Sequence, residues 1–367
     1  MRLLSRILGA IQGSLIPCLE EKFGSLTDKQ KKLVEIIELV RIEDHISDLP
    51  RFGRGRPSYS RAAIARAFIA KAVLNFPNTR ALVEALQLMP SLRRICGFEE
   101  HKTIPHESVF SRAFSEFSLK GLPQNAHESL VRLHCSERLI GHISRDSTEI
   151  NAREKPTKKM NPPKPKKRRR RGRPINSKTK PKPKTKKLLE RQIEMTSDEA
   201  RMTLPMACDI GAKSSSKGHF RRWIGYKLHI DSADGQIPIS CILTSASLHD
   251  SQAAIPLAKM SAERVTSLYD LMDSAYDSKT IRDFSRSLGH VPIIDFNKRR
   301  NGIKKEMEPA TSIRHRERTN SERVNSRLKD DFGGRSLMVR GGPKVFAHLM
   351  FGILALTADQ LIPLLTV

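Results

Sequence analysis

Apolar residues recur at two spacings along this chain, and the change of spacing divides it. Through residue 135 they return every three or four positions, the period of an amphipathic helix. Thr27 and Gln30 form a capping-box pattern ahead of Leu33, Ile36, Ile37 and Val40. A second helix is predicted from Ser58 to Leu74, with Ile64, Ala67, Phe68 and Lys71 marking its faces. Pro77 closes that region, Thr79 to Leu88 reads as a shorter helix, and SVFSRAFSEF after Pro105 starts another. Beyond residue 135 the apolar residues gather into short β-rich runs. Strands are predicted at Leu139–Arg145, Arg222–Ile230, Gln236–Leu243, Val265–Met272 and His290–Phe296, with turn residues Asp231 to Gly235 joining the second and third. Helices are predicted at Ser251–Met260, Ser278–Ser287, Arg318–Asp331 and Lys344–Gln360. The pattern is an α/β domain, residues 136–367, preceded by an all-α domain, residues 1–135.

Charge changes this picture in one place. The 367 residues carry a formal charge of +27, and 38% of them are hydrophobic, enough for real cores. Residues 155–187 alone hold 17 Lys and Arg, seven prolines and no acid, which leaves +10 for the rest (27 − 17). Such a segment buries too little apolar surface to offset its chain entropy, so residues 153–217 read as a basic, disordered insertion in the α/β domain. Arg171-Gly172-Arg173-Pro174 resembles the core of an AT-hook, in which an Arg-Gly-Arg strip enters a narrow A·T minor groove. A generic basic linker accounts for the tetrapeptide equally well. The same tetrapeptide at Arg54–Pro57 leads into a helix and reads as a helix entry. Lysine and arginine density by itself supplies a salt-dependent attraction to phosphates.

Other compositional features narrow the class. The apolar run Val345 to Ala358 is shorter than the roughly 20 residues of a membrane span and contains His348, so it reads as a helix covering the sheet. The N-terminus lacks a clean apolar core and cleavage site and reads as an amphipathic helix. Five scattered cysteines without metal-ligand spacing suit free thiols in a reducing cytosol. A cytoplasmic, nucleoid-associated protein with a polyanionic partner and no membrane role is the expectation.

Three acids carry the candidate chemistry. Asp146 and Asp273 each follow a predicted strand, and Glu322 stands on a late, charged helix. If the two strands are neighbours, both aspartates reach one sheet edge and the helix can face them. Oxygen ligands suit a hard divalent cation, and a pair of such ions can drive in-line phosphoryl displacement. Asp250, Asp270 and Asp277 compete with Asp273, and Glu317 competes with Glu322. Glu322 and Lys329 lie two helical turns apart and share a face, with Arg318 one turn before. Lys227 and His229 alternate with apolar residues on a strand, a polar face that suits either DNA contact or a sheet-edge role.

These motifs, in this order, resemble the DDE transposases of bacterial insertion sequences, in the group around insertion sequences four and five. GRPSYSRAAIARAFIAKAVLNFPNTRALVEALQLMPSLRRICGF and IPHESVFSRAF look like that group's helical N-terminal domain. RDST (Arg145–Thr148), WIGYKLH (Trp223–His229) and MDSAYDS (Met272–Ser278) look like its first-aspartate, second-strand and second-aspartate motifs. Arg318, Glu322 and Lys329 stand at the R-x3-E-x6-K spacing of its terminal signature, with His315 where a tyrosine is usual. The resemblance implies an RNase H-like catalytic domain, a mixed five-stranded sheet with flanking helices. It implies that Asp146, Asp273 and Glu322 are catalytic and bind Mg²⁺ or Mn²⁺ as two ions. Arg318, Lys329, His315 and Lys227, with Arg171 and Arg173 of the basic segment, are then candidate contacts to double-stranded DNA. The implied activity is transposition: binding of terminal inverted repeats, cleavage and strand transfer by a homodimer or larger assembly. The rival expectations are an RNase H-like nuclease without strand transfer and a non-enzymatic, basic DNA-binding protein.

Overall fold

The computed structural model describes residues 9–46, 59–99, 103–157, 186–214, 220–297 and 306–365. The two RGRP tetrapeptides, with Arg171 and Arg173, lie outside them.

The helical unit comprises α1 (Ile16–Phe23), α2 (Asp28–Val40), α3 (Arg61–Val73), α4 (Thr79–Leu88), α5 (Pro90–Ile95), α6 (Glu107–Lys120) and α7 (Leu122–Cys135). Its boundaries follow local chemistry. Thr27 and Gln30 close the expected capping box on α2, Ser60 caps α3 and Asn78 caps α4. Gly121, at φ +63°, makes the tight turn that ends α6 and opens α7, a helix with no separate counterpart in the sequence reading.

The sheet begins with β1 (Leu139–Asn151), which runs six residues past the predicted end at Arg145. After it come α8 (Leu188–Glu194), α9 (Ser197–Met202) and β2 (Asp209–Ser214). These three correct the expectation that all of residues 153–217 form a disordered insertion. The charge run stops at Lys187, and the chain then offers groups that can be buried. Leu189 packs against neighbouring apolar residues, Gln192 is buried and donates to Gln252 O at 3.1 Å, and Thr196 and Glu199 form a capping box. Next come β3 (Phe220–Ala233), β4 (Ile237–Ser245), α10 (Ser251–Ala262), β5 (Thr266–Met272), α11 (Lys279–Ser287) and β6 (Val291–Ile294). Then follow α12 (Pro309–Arg316), α13 (Thr319–Asp330) and α14 (Gly342–Leu365).

β3 pairs antiparallel with β1 on one side and β4 on the other, while β5 pairs parallel with β1 and β6 parallel with β5. The sheet therefore runs β4-β3-β1-β5-β6, the mixed five-stranded arrangement of an RNase H-like fold. β2 pairs with the outer half of β3 and makes it six-stranded. Gly225 sits where β1, β2 and β3 meet. At φ +152° a Cβ there would lie 2.1 Å from Ile150 O, so only glycine fits.

One helix joins the two halves. α14 was expected to cover the sheet, and it does contact β4, but most of it is wrapped by α2, α3, α6 and α7. Phe351 on α14 packs 5.5 Å from Phe68 and 6.1 Å from Phe114, ring centre to ring centre. By length and composition α14 could cross a membrane, but 83% of its apolar window is buried inside the protein, as in a core helix. Helices and sheet thus share a continuous apolar core.

A buried charge pair fixes the sheet's centre. Arg145 and Asp231 are register partners on β1 and β3, both almost fully buried, with two hydrogen bonds of 2.8 and 2.7 Å between guanidinium and carboxylate. Ser261 Oγ on α10 adds a third bond to Asp231 at 2.7 Å. Removing one partner strands the other charge in a dry interior. Asp231→Ala should therefore destabilise the protein by about 3–5 kcal/mol in urea unfolding, while the double change Arg145→Met, Asp231→Leu should recover most of the loss.

Candidate functional site

The parallel β1–β5 pairing ends with Arg145 opposite Met272. The next residue on each strand is an aspartate, so Asp146 and Asp273 emerge side by side. Asp146 does not end its strand as expected. β1 continues alongside β3, and it is β5 that stops at this level, turning into a single 3₁₀ turn at Ser274–Tyr276. Asp273 caps that turn, its Oδ1 accepting from Ala275 N–H at 2.9 Å.

Both aspartates line a cavity of about 490 Å³, together with Asp250, Glu149 and three lysines, Lys213, Lys227 and Lys329. Burial pushes the Asp146 carboxyl up to about 6, with repulsion from Asp273 adding to it and Arg318 opposing. Asp273 is also raised, by burial and by its neighbour Asp250. Burial would raise Asp250 as well, but His229 and Lys227 hold it below the usual carboxylate range. Of the rival acids, Asp250 belongs to the cavity, whereas Asp270 is buried against His290 and Asp277 pairs with Arg282 at 2.9 Å. Glu317 Oε2 instead accepts from Asn320 Nδ2 at 3.3 Å.

Glu322 lies on α13 one bridge away. Arg318 Nη2 donates to Glu322 Oε1 at 2.8 Å and Arg318 Nη1 lies 3.9 Å from Asp146 Oδ1, so one guanidinium spans the two acids. The Glu322 side chain is 57% exposed and does not line the cavity. Among the described residues no group of three His, Cys, Asp or Glu side chains is arranged to hold a metal ion. The expected three-acid cage is thus only partly assembled: two aspartates together, and the glutamate turned toward its arginine.

The expected DNA contacts divide. Lys329 lines the cavity, and burial lowers its pKa against the opposing charge of Glu149. Lys227 is committed within the protein, donating to Asp250 Oδ1 and Leu248 O, each at 2.9 Å. His229 is fully buried and bonded to Thr244 Oγ1 at 2.9 Å, a neutral core histidine with its pKa lowered to about 4 by burial. His315 Nε2 donates to Met272 O at 3.1 Å and so ties α12 to the residue before Asp273.

Two site residues were missed by the sequence reading. Asn325, one turn after Glu322, donates from Nδ2 to Asp146 Oδ2 at 3.1 Å, and its own Oδ1 is buried with no hydrogen-bond partner among the described residues. The i, i+3 spacing from Glu322 was the available signal. Lys213 stands on β2, inside the range read as insertion, and no motif marked it.

The donor set suits a hard divalent cation. It offers carboxylate oxygens in a cavity where two aspartates repel each other.

The match to known families agrees with this geometry. The family described as "Transposase DDE domain" matches residues 138–358, and the one described as "Transposase domain (DUF772)" matches residues 18–116. No curated protein and no solved structure matches the chain significantly.

The raised Asp146 carboxyl sets a stability test. Neutral Asp146 favours the fold below its ordinary pKa, and that contribution is lost as pH rises through about 6. Asp146→Asn should raise the thermal midpoint of the metal-free protein at neutral pH, by about 2 kcal/mol equivalent, with the gain vanishing near pH ~4. Divalent cation should stabilise the wild type and not this variant, as read by calorimetry.

Proposed function

Because the chain belongs to the family of transposase DDE domains, we propose that Asp146, Asp273 and Glu322 form its catalytic triad and cut and join the DNA ends of an insertion sequence. The support is the β1–β5 register, which sets two aspartates side by side in a cavity flanked by lysines.

Transposases act on DNA, and enzymes of this family generally depend on a divalent metal. Mg²⁺ or Mn²⁺, as two ions held by Asp146, Asp273 and Glu322, would activate the attacking oxygen and stabilise the leaving one. The protein's own residues do the rest. Asn325 fixes one oxygen of Asp146, and the Ala275 amide fixes one oxygen of Asp273, so each carboxylate presents its remaining lone pairs in a set direction. His315 holds the Met272 carbonyl and with it the turn that carries Asp273. Arg318 bridges Glu322 at 2.8 Å and Asp146 at 3.9 Å and offsets the charge of both until a cation takes its place. Lys213 and Lys329 offer cations to the phosphates of a strand lying in the cavity.

Water attack at the element end breaks the phosphorus–O3′ bond, leaving a free 3′-hydroxyl and a 5′-phosphate on the flanking DNA. That hydroxyl then attacks a target phosphodiester, forming one ester as another breaks, and no bond to protein is required. Terminal inverted repeats are the proposed recognition sequence. A homodimer or larger assembly would hold two ends together, and the helical unit, with the basic segment around Arg171 and Arg173, would add DNA affinity.

Purified protein with end-labelled terminal-repeat duplex and Mg²⁺ tests the assignment. Nicking should fall by about 10³-fold or more in Asp146→Ala, Asp273→Ala and Glu322→Ala. Nicked ends supplied with a target plasmid should be joined to it by the wild type. Wild-type nicking rates in any of the three variants would remove that residue from the triad.

A further inference from the structure

A second pocket, part apolar and part polar, lies away from the carboxylates, at the seam between the helical unit and the segment following α13. It holds about 70 Å³; Phe68, Phe114, Met338 and Val339 make an apolar wall, and the polar groups are those of Lys71 on α3, Asn78 and Thr79 at the amino end of α4, Ser111 on α6 and His348 on α14. That is room for one small tetrahedral oxyanion and not for a nucleoside.

Lys71 is its unusual member. Its side chain is 7% exposed, yet among the described residues nothing accepts a hydrogen bond from its ammonium, pairs with it or offers it a ring face. Buried lysines are normally paired, because an isolated ammonium in a dry interior is strongly unfavourable. Here the charge points into a pocket with no acidic residue among its described lining. Burial lowers the lysine only to about 8, so it stays mostly charged at neutral pH. The first N–H groups of the ten-residue α4 add the positive end of a helix dipole, and Thr79 and Ser111 bring hydroxyl donors. His348 is neutral, its Nε2 spent on Gly333 O at 3.0 Å.

We propose that this pocket is a phosphate site in which Lys71, the amino end of α4 and the hydroxyls of Thr79 and Ser111 seat one phosphate group. The phosphate comes either from the backbone of bound DNA or from the free ion, and the chemistry of capture is the same. The site adjoins the end of the Glu322 helix: Asn75 Nδ2, between Lys71 and Asn78, donates to Asp330 O at 2.7 Å, and Gly333 carries the His348 bond. An occupied pocket therefore braces α13 against the helical unit. Only the DNA source rests on the transposase reading.

Full-length wild type and Lys71→Met are compared by calorimetry in millimolar inorganic phosphate against chloride of equal ionic strength. Phosphate should raise the wild-type Tm by about 3 °C and leave the variant unmoved. Without phosphate, Lys71→Met should melt higher than wild type, since it removes an unpaired buried charge. A purely structural lysine would instead melt lower on replacement. Duplex binding is then titrated against salt. A log–log slope reduced by about 1 in the variant assigns the pocket to a DNA phosphate, and an unchanged slope with a lost phosphate response assigns it to the free ion. If Lys71→Met does not fold, Ser111→Glu, at an exposed position of the pocket lining, takes its place and should abolish the same responses. A wild type indifferent to phosphate, with equal slopes in both proteins, overturns the proposal.

Discussion

The buried pair of Arg145 and Asp231 is the constraint on which the rest of the sheet depends. Charge burial is costly, and this pair is tolerated because three hydrogen bonds meet on one carboxylate. What it gains is register. Side chains alternate across a strand, so a slip of one residue would turn Asp146 to the opposite face of the sheet. The ion pair involves the residue just before Asp146, so that slip would separate two charges in an apolar interior. A structural charge thus holds a chemical one in place.

The cavity works by a similar balance. In a chain of net charge +27, Asp146, Glu149, Asp250 and Asp273 line one cavity, and each basic neighbour has a different share in them. Lys227 is fully engaged by Asp250, Arg318 is divided between Asp146 and Glu322, and Lys213 and Lys329 line the same space. The result is a mixed site that sets carboxylates and lysines around one cavity. Arg318 is the hinge of this balance, because it competes for the acids that a cation would use.

Much of this was legible in the chain. The Thr27–Gln30 capping box and the apolar periodicities placed most helices and strands, because they rest on local hydrogen bonding and alternation, although β1 ran six residues longer than predicted. The adjacency of Asp146 and Asp273 followed from strand order once β1 and β5 are neighbours. Other features depend on contacts that spacing does not encode. α8, α9 and β2 were obscured by the charge run before them; α8 is ordered by packing of Leu189 and Gln192, α9 by contact with α10, and β2 by pairing with β3. Lys227 and His229 alternate as a polar face, but whether that face meets solvent or Asp250 and Thr244 depends on β4. Asn325 was passed over because amides carry no charge signature, although its helix position was suggestive.

The placement of α14 has a consequence for synthesis. Its residues, 342–365, fill the groove made by helices between residues 28 and 135, more than two hundred positions earlier. A ribosome delivers those early helices first; they pack on one another, as Phe68 does on Phe110 and Phe117, but the apolar faces that α14 covers stay open. The helical unit therefore waits, exposed to chaperones and proteases, until the distant segment emerges. Reading-frame damage upstream of α14 would spoil the first-made part of the protein along with the last.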